Sequence, residues 1–524
     1  MNPVTAFTHT LHALALCSLA AYLYFEARYF LHMFQLNSYT ARVQWSWMRA
    51  NKTRMIPPFF ALIGAIGCGF VSARHAAYAY GFFALLCLVL AAFSLPKKAK
   101  KPLVFTARLC RLFVTLGILV LLLLALGVAL GSTGEFVLFG IAAFALSFLI
   151  PAANRINAPI EAAVRRHYTN DAKKILASCP DLQIIGITGS FGKTSVKYFL
   201  THLLSVRYNT LMTPESYNTP MGVVKTIRQS LRATHEIFVC EMGAKYVGDI
   251  KELCDIVHPT RGIVTSIGEQ HLESFGSVEN IIKTKYELAD ALPADGILYV
   301  NLSSETIAKN PPPRAAVTYG LRPDADYFAT DIAVDTAGTT FTLVHGDERQ
   351  KFSTKLIGAA NVENIVGAIA AANGYGIPLA ELVPAVRTLR AVPHRMELLD
   401  RGAITIIDDA FNSNPAGAAA ALETLGRFDA MRIIVTPGMI ELGDREDALN
   451  AELGARAAAV CDVIVAVGEK QAKPILRGAR EAGADEKKLY TAKNFADAMR
   501  YVYALDAGGR KKVVLLENDL PDNF

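Results

Sequence analysis

The sequence predicts an α/β protein headed by an apolar helical region, and three observations carry that expectation. Five long apolar stretches fill the first 150 residues, short β-branched runs alternate with helix-length amphipathic segments from residue 181 onward, and a glycine-rich loop with a lysine at 193 joins one such run to a helix. The expected order is a helical transmembrane region at 1–155, a linker at 156–180, a P-loop ATPase domain on a parallel sheet at 181–392, and a Rossmann-like C-terminal domain at 393–524.

The head accounts for the composition. The chain of 524 residues is 52% hydrophobic and only 19% charged, with a mean hydropathy of +0.29. Residues 1–160 carry 13 Lys/Arg against 2 Asp/Glu, so the overall charge of +6 splits into +11 for the head and −5 for the remainder. A basic surface confined to the apolar third argues against a nucleic-acid partner. Disorder, a collagen-like chain and a small disulfide scaffold are excluded by the same composition. The eight cysteines form no CxxC pair, which excludes a zinc ribbon and fits a reducing compartment.

The apolar stretches run through 4–25, 56–71, 76–95, 112–130 and 136–150. A hydrocarbon core of about 30 Å needs roughly 20 helical residues, so three suffice outright and the second and fifth must recruit flanking residues. Arg28, Arg42, Arg49, Lys52 and Arg54 fall between the first two stretches; Lys97, Lys98, Lys100, Lys101, Arg108 and Arg111 fall between the third and fourth. Short basic loops stay cytoplasmic. The expectation is a multi-pass protein of the cell membrane with five crossings, its N-terminus outside and its catalytic domains in the cytoplasm. The segment 37–52, with Trp45 and Trp47, reads equally as an interfacial anchor or a connecting helix. His12, Glu26, Arg74 and His75 sit near ends or turns, so no polar constellation is expected inside the spans and an ion path is disfavoured.

In the polar part, strands are expected at 182–188, 237–241, 262–267, 296–301, 403–408, 431–437, 462–468 and 512–517. Their near-continuous apolar character, with helical segments between them, means parallel sheets covered on both faces. A β insertion is expected over 324–353, where the pattern alternates around a Gly-containing turn.

The loop Gly186-Ile-Thr-Gly189-Ser190-Phe191-Gly192-Lys193-Thr194-Ser195 carries the chemistry. It follows a strand and opens a helix, where backbone N–H groups wrap phosphates. Lys193 is expected to reach the β/γ-phosphates and Thr194 to bind Mg²⁺. The spacing departs from the strict phosphate-loop pattern, because position 187 is Ile. Glu241 closes the apolar run IFVCE, and a carboxylate at such a strand end faces the ligand crevice.

Together with GITGSFGKTS, the segments SYNTPMGV (216–223), EMGAKYVGDI (241–250), SIGEQHLESFGSVENIIKTKYELAD (266–290), GAANVEN (358–364), PHRME (393–397) and DDAFNSNP (408–415) resemble the Mur ligase family in order and spacing. Within it they are most similar to the branch that adds D-alanyl-D-alanine during peptidoglycan synthesis. The resemblance implies an ATP-dependent acid–amino-acid ligase working through an acyl phosphate. It assigns Gly189, Ser190, Phe191, Gly192, Lys193, Thr194, Ser195, Asn361, Arg395 and Asp409 to ATP. Of these, Asn361 would meet the adenine and Asp409 the ribose. Thr194, Glu241, His271 and Lys285 would hold Mg²⁺, in two sites, with Lys285 carbamylated; Lys283 remains the alternative on spacing. Lys193, Asn218, His271 and Lys285 are the catalytic set. Asn218 reads otherwise as a turn former beside Pro220, and Asn414-Pro415 as a helix N-cap.

Three departures from the family stand out. The apolar head replaces the domain that holds the uridine diphosphate end of the precursor, position 360 is Ala where His is usual, and the last strand runs into LLENDLPDNF rather than a basic segment. The expected partners are ATP, an amino-acid or dipeptide amine, and a carboxylate-bearing cell-envelope precursor, lipid-linked and presented at the membrane. The alternatives are an ATPase subunit that amidates with a glutaminase partner, a ligase extending folate or poly-γ-glutamate, and a membrane NTPase that forms no bond.

Overall fold

A computed structural model describes residues 3–96, 101–335, 338–411 and 413–519, which form two compact units dividing between Arg166 and His167. The basic-loop residues Lys97, Lys98 and Lys100, parts of the expected β insertion (336–337) and of DDAFNSNP (412), and the last five residues of the C-terminal segment lie outside the described residues.

The first unit is helical: Pro3–Leu36, Ala41–Ala50, Ile56–Phe93, Ala107–Ala129 and the start of Gly131–Ala177. Among the described residues, four helices are long and apolar enough to cross a membrane by length and composition, against the five stretches expected. The second and third stretches lie in one helical run that breaks at His75 (φ −139°, ψ 58°) and folds back, since Gly64 packs on Leu86. The fifth is not short, because its helix continues through Pro151 and Pro159 to Ala177. Trp47 of the 37–52 segment is buried against Phe30 and Tyr29, so this segment is a packed helix of the unit.

The expected absence of a polar constellation is corrected. Glu135, buried, accepts from Tyr80 Oη at 2.8 Å and pairs with His12, while buried Glu26 accepts from Ser94 Oγ at 2.6 Å. Helical periodicity within one segment cannot reveal partners 123 residues apart in sequence.

The second unit carries two sheets. The larger has the strand order β2-β3-β1-β4-β5-β6-β7-β8-β9, with β1 (Gln183–Thr188), β2 (Thr210–Met212), β3 (Ile237–Glu241), β4 (Arg261–Val264), β5 (Ile297–Asn301), β6 (Val317–Gly320), β7 (Tyr327–Asp335), β8 (Gly338–His345) and β9 (Glu348–Thr354). Pairing is parallel as far as β7 and antiparallel beyond it. The expected β insertion is therefore the antiparallel edge of the main sheet itself. The smaller sheet runs β10-β11-β15-β12-β13-β14, built from β10 (Glu397–Asp400), β11 (Ile404–Asp409), β12 (Met431–Thr436), β13 (Val463–Val467), β14 (Leu489–Ala492) and β15 (Lys512–Glu517). Only β10 is antiparallel in it.

Strands β2, β6, β10 and β14 escaped the sequence reading. They are short or carry polar residues at alternate positions, which leaves little apolar run to detect. The helix Lys193–Leu204 after β1 presents Val196, Phe199, Leu200, Leu203 and Leu204 to the core, meeting the helix Ala359–Gly374. Asn414 caps its helix as expected, its Oδ1 accepting from Gly417 N at 3.0 Å with Pro415 in the first turn. Phe199 is fully enclosed. Phe199→Ala is expected to destabilise the second unit by about 3–5 kcal/mol, read as a lower Tm of its unfolding transition; an unchanged Tm would contradict this packing.

Candidate active site

Parallel pairing sets the site. Strand β3 lies beside β1 with Glu241 opposite Ile187, so the carboxylate emerges at the C-terminal edge of the sheet next to the loop that leaves β1. In that loop Gly189 (φ 149°) and Gly192 (φ 82°) adopt backbone conformations that favour glycine. A side chain at Gly189 would strike Thr265 and Ser266, and one at Gly192 would strike Asn364.

The residues after β4 brace the loop. Phe191 N donates to Ser266 Oγ at 2.8 Å, Ser190 N to Ser266 O at 2.9 Å, and Gly268 N to Ser190 Oγ at 3.0 Å. Lys193 Nζ donates back to Gly189 O at 2.6 Å and Ser190 O at 3.0 Å. Burial lowers its ammonium to about 8, with Glu241 opposing the shift and Arg395 adding to it.

Glu241 is 1% exposed, and three groups converge on it. Thr194 Oγ1 donates to its Oε1 at 3.2 Å and Asn218 Nδ2 to the same oxygen at 3.0 Å. Lys197 Nζ faces Oε2 at 3.0 Å as an ion pair, with both side chains shut away from solvent. Lys197 also donates to Glu215 O. Sequence reasoning missed Lys197; its place one turn after Lys193 on the same helix face was the available signal.

His271, at φ 53°, gives Nδ1 to Glu441 of the loop after β12, and Lys245 Nζ reaches the same carboxylate at 3.1 Å. Burial raises the Glu441 carboxyl, but His271 and Lys245 outweigh it and hold the group down at about 2. Lys285 is buried and Lys283 exposed. Burial pushes the Lys285 ammonium well below its ordinary value, Lys193 adds to that, and Asp249 and Glu287 oppose it.

From the smaller sheet, Asp409 and Glu517 sit opposite each other at the ends of β11 and β15. Burial raises Asp409 to about 6 against the pull of Arg395, and raises Glu517 well above the carboxylate range. Ser413 Oγ donates to Glu517 Oε1 at 2.5 Å, and the Arg395 guanidinium lies 4.2 Å from the Phe411 ring centre. Asn361 is buried and spends its amide on Ile357 O at 2.9 Å, so its neighbour Asn364 is the one set against the phosphate loop.

These residues suit a nucleotide and a divalent cation. The loop glycines leave backbone open to an anion, and buried Glu241 Oε2 receives no aligned hydrogen bond beyond its ion pair. Among the described residues no three His, Cys, Asp or Glu side chains already form a metal cluster, so oxygens from a bound phosphate would have to complete the shell.

Lys197→Met strands a buried carboxylate, and a stability loss of about 3–5 kcal/mol is expected. Adding Glu241→Gln should recover much of the lost Tm without restoring turnover; a double variant no more stable than the single one would contradict the pairing.

Comparison with known proteins bears on this site. Residues 187–372 match the family description "Mur ligase middle domain" and residues 394–517 match "Mur ligase, glutamate ligase domain". UDP-N-acetylmuramoyl-tripeptide–D-alanyl-D-alanine ligases are similar: that of Bacillus subtilis is 32% identical over 52% of this chain and 60% of its own length. The Escherichia coli enzyme is 29% identical, covering 64% and 75%, and that of Mycobacterium tuberculosis 32% identical, covering 65% and 70%. The chain thus spans between three-fifths and three-quarters of these relatives. Among solved structures, MurF from Acinetobacter baumannii superposes with a TM-score of 0.62 at 26% identity, over 68% of this chain and 77% of that one. MurF from Thermotoga maritima in complex with ADP gives 0.61 at 25% identity, over 68% and 80%.

The expected localisation as a multi-pass membrane protein with an outside N-terminus is corrected by these matches. The relatives are soluble cytoplasmic enzymes, and the apolar helices qualify as spans by length and composition alone.

Proposed function

The chain belongs to the Mur ligase family of ATP-dependent acid–amino-acid ligases, and on that premise we propose that it forms an amide bond on a peptidoglycan or related cell-envelope precursor. The observation that carries the reading is the convergence of Thr194, Asn218 and Lys197 on buried Glu241 beside the phosphate loop.

Mur ligases use ATP and Mg²⁺. In the proposed reaction an oxygen of the acceptor carboxylate attacks the γ-phosphorus of ATP and ADP leaves. The resulting acyl phosphate is attacked by an unprotonated amine, which forms the C–N bond, expels phosphate and sheds a proton. The phosphate-loop N–H groups and Lys193 hold the β- and γ-phosphates, Arg395 and Asp409 orient the nucleotide, and Asn218 fixes the Glu241 carboxylate. Thr194 and Glu241, and in a second site His271 and Lys285, would hold Mg²⁺, which when bound would supply charge neutralisation for the transferring phosphoryl group.

Lys285 is proposed to act as its carbamate. Carbamylation needs a neutral amine, and the burial that lowers its ammonium supplies one; exposed Lys283 lacks that environment. With ¹³C-bicarbonate, one protected carbamate carbon resonance is expected in the wild type and none in Lys285→Arg; its persistence in the variant would contradict the assignment.

The acceptor is proposed to be lipid-linked. The family match starts at residue 187, and the unit before it exposes large apolar side chains such as Phe70, Phe82, Phe93 and Leu121. Phosphate release from ATP should require both an acceptor carboxylate and an amino-acid or dipeptide amine, and should be faster with lipid-linked than with nucleotide-linked precursor. Release indifferent to the amine would refute ligation, and turnover of the soluble precursor alone would refute the lipid carrier.

A further inference from the structure

The loop that follows β12, residues 437–443, is built to hold one carboxylate in place. Gly438 N donates to Thr436 Oγ1 at 3.0 Å, and Gly438 O accepts from Asn518 Nδ2 at 2.6 Å. Asn450 brackets Met439, accepting from its N–H at 2.8 Å and donating to its C=O at 2.9 Å. Met439 and Leu442 are buried on either side. Between them Glu441 takes φ 62°, a left-handed conformation that costs energy for a residue with a Cβ.

That conformation delivers the Glu441 side chain across to the larger sheet. One oxygen meets His271 Nδ1 and the other Lys245 Nζ, while Glu441 O accepts from Glu273 N at 3.3 Å. His271 is itself left-handed, so two strained residues face each other across the crevice. A separate ion pair joins Arg445 to Glu269 nearby.

A carboxylate on one ring nitrogen of a histidine decides which nitrogen carries the hydrogen, and so which one is free to ligate a metal. We propose that Glu441 is a positioning residue: it binds the Nδ1 hydrogen of His271 and leaves Nε2 as the metal-facing atom, so that the smaller-sheet domain completes the metal site of the larger one. This rests on the reading of His271 as a Mg²⁺ ligand given above. It ties metal binding to contact between the two domains: with the loop drawn away, His271 loses its orienting partner.

The test measures the affinity of the full chain for ADP by calorimetry, with and without Mg²⁺. In the wild type Mg²⁺ is expected to tighten ADP binding. In Glu441→Gln, which keeps the size of the side chain, Mg²⁺ affinity is expected to fall by about 10–100-fold while metal-free ADP binding is unchanged. Glu441→Asp keeps a carboxylate and should retain part of the Mg²⁺ effect. Arg445→Ala removes the neighbouring ion pair without touching His271 and should retain all of it. A Glu441→Gln chain with wild-type melting and a wild-type response to Mg²⁺ would overturn the inference alone. A wild type whose ADP binding ignores Mg²⁺ would overturn the metal reading of the site, and the inference with it. Equal loss in Arg445→Ala would reduce Glu441 to a general domain clasp and also overturn it.

Discussion

A carboxylate with almost no solvent is costly unless its charge is matched and its lone pairs are used, and Glu241 is such a group at the end of β3. The matching is done from three directions: Lys197 by charge, Thr194 and Asn218 by hydrogen bonds. Lys197 and Thr194 come from the helix after the phosphate loop and Asn218 from the turn before Pro220, so that helix, that turn and strand β3 must all be in register before the charge is satisfied. Parallel pairing of β3 with β1 then puts this anionic point beside the glycine-rich loop that leaves β1, the juxtaposition that the proposed phosphoryl transfer requires.

The second sheet brings complementary chemistry. Asp409 and Glu517 lie opposite each other on adjacent strands, and burial pushes both toward their neutral forms, with Asp408 adding to the shift of Asp409, Asp409 adding to that of Glu517, and Arg395 opposing both. In the proposed reading a nucleotide would sit between the loop after β1 and this acidic strand end. The Glu441 loop adds a direct link between the two sheets through His271 and Lys245.

Much of this was legible in the chain. The strands that flank the site are continuous apolar runs, and β3 and β15 fall at the residues expected for them. The phosphate loop was readable because glycine spacing reports backbone conformation directly. Lys197 and Glu441 were not, for different reasons. A lysine on a helix next to a phosphate loop looks like any surface lysine until the neighbouring strand places Glu241 against it. Glu441 lies 170 residues from His271 in sequence, and nothing local marks it. The same distance effect hid the pairing of Glu135 with His12 and Tyr80 in the helical unit. The polar antiparallel edge β7–β9 was seen as β structure but not as part of the main sheet, since alternation of apolar residues gives strand identity and not strand partner.

What unites these elements is a single proposed event, transfer of a phosphoryl group to a carboxylate followed by its displacement by an amine. That event moves an oxygen atom, and the atom can be followed. With an acceptor whose carboxylate is labelled with ¹⁸O, the account predicts that each amide bond formed releases one phosphate bearing an ¹⁸O taken from the acceptor. Phosphate containing label only from ¹⁸O-water, with none from the acceptor, would mean that ATP is simply hydrolysed and would contradict the account.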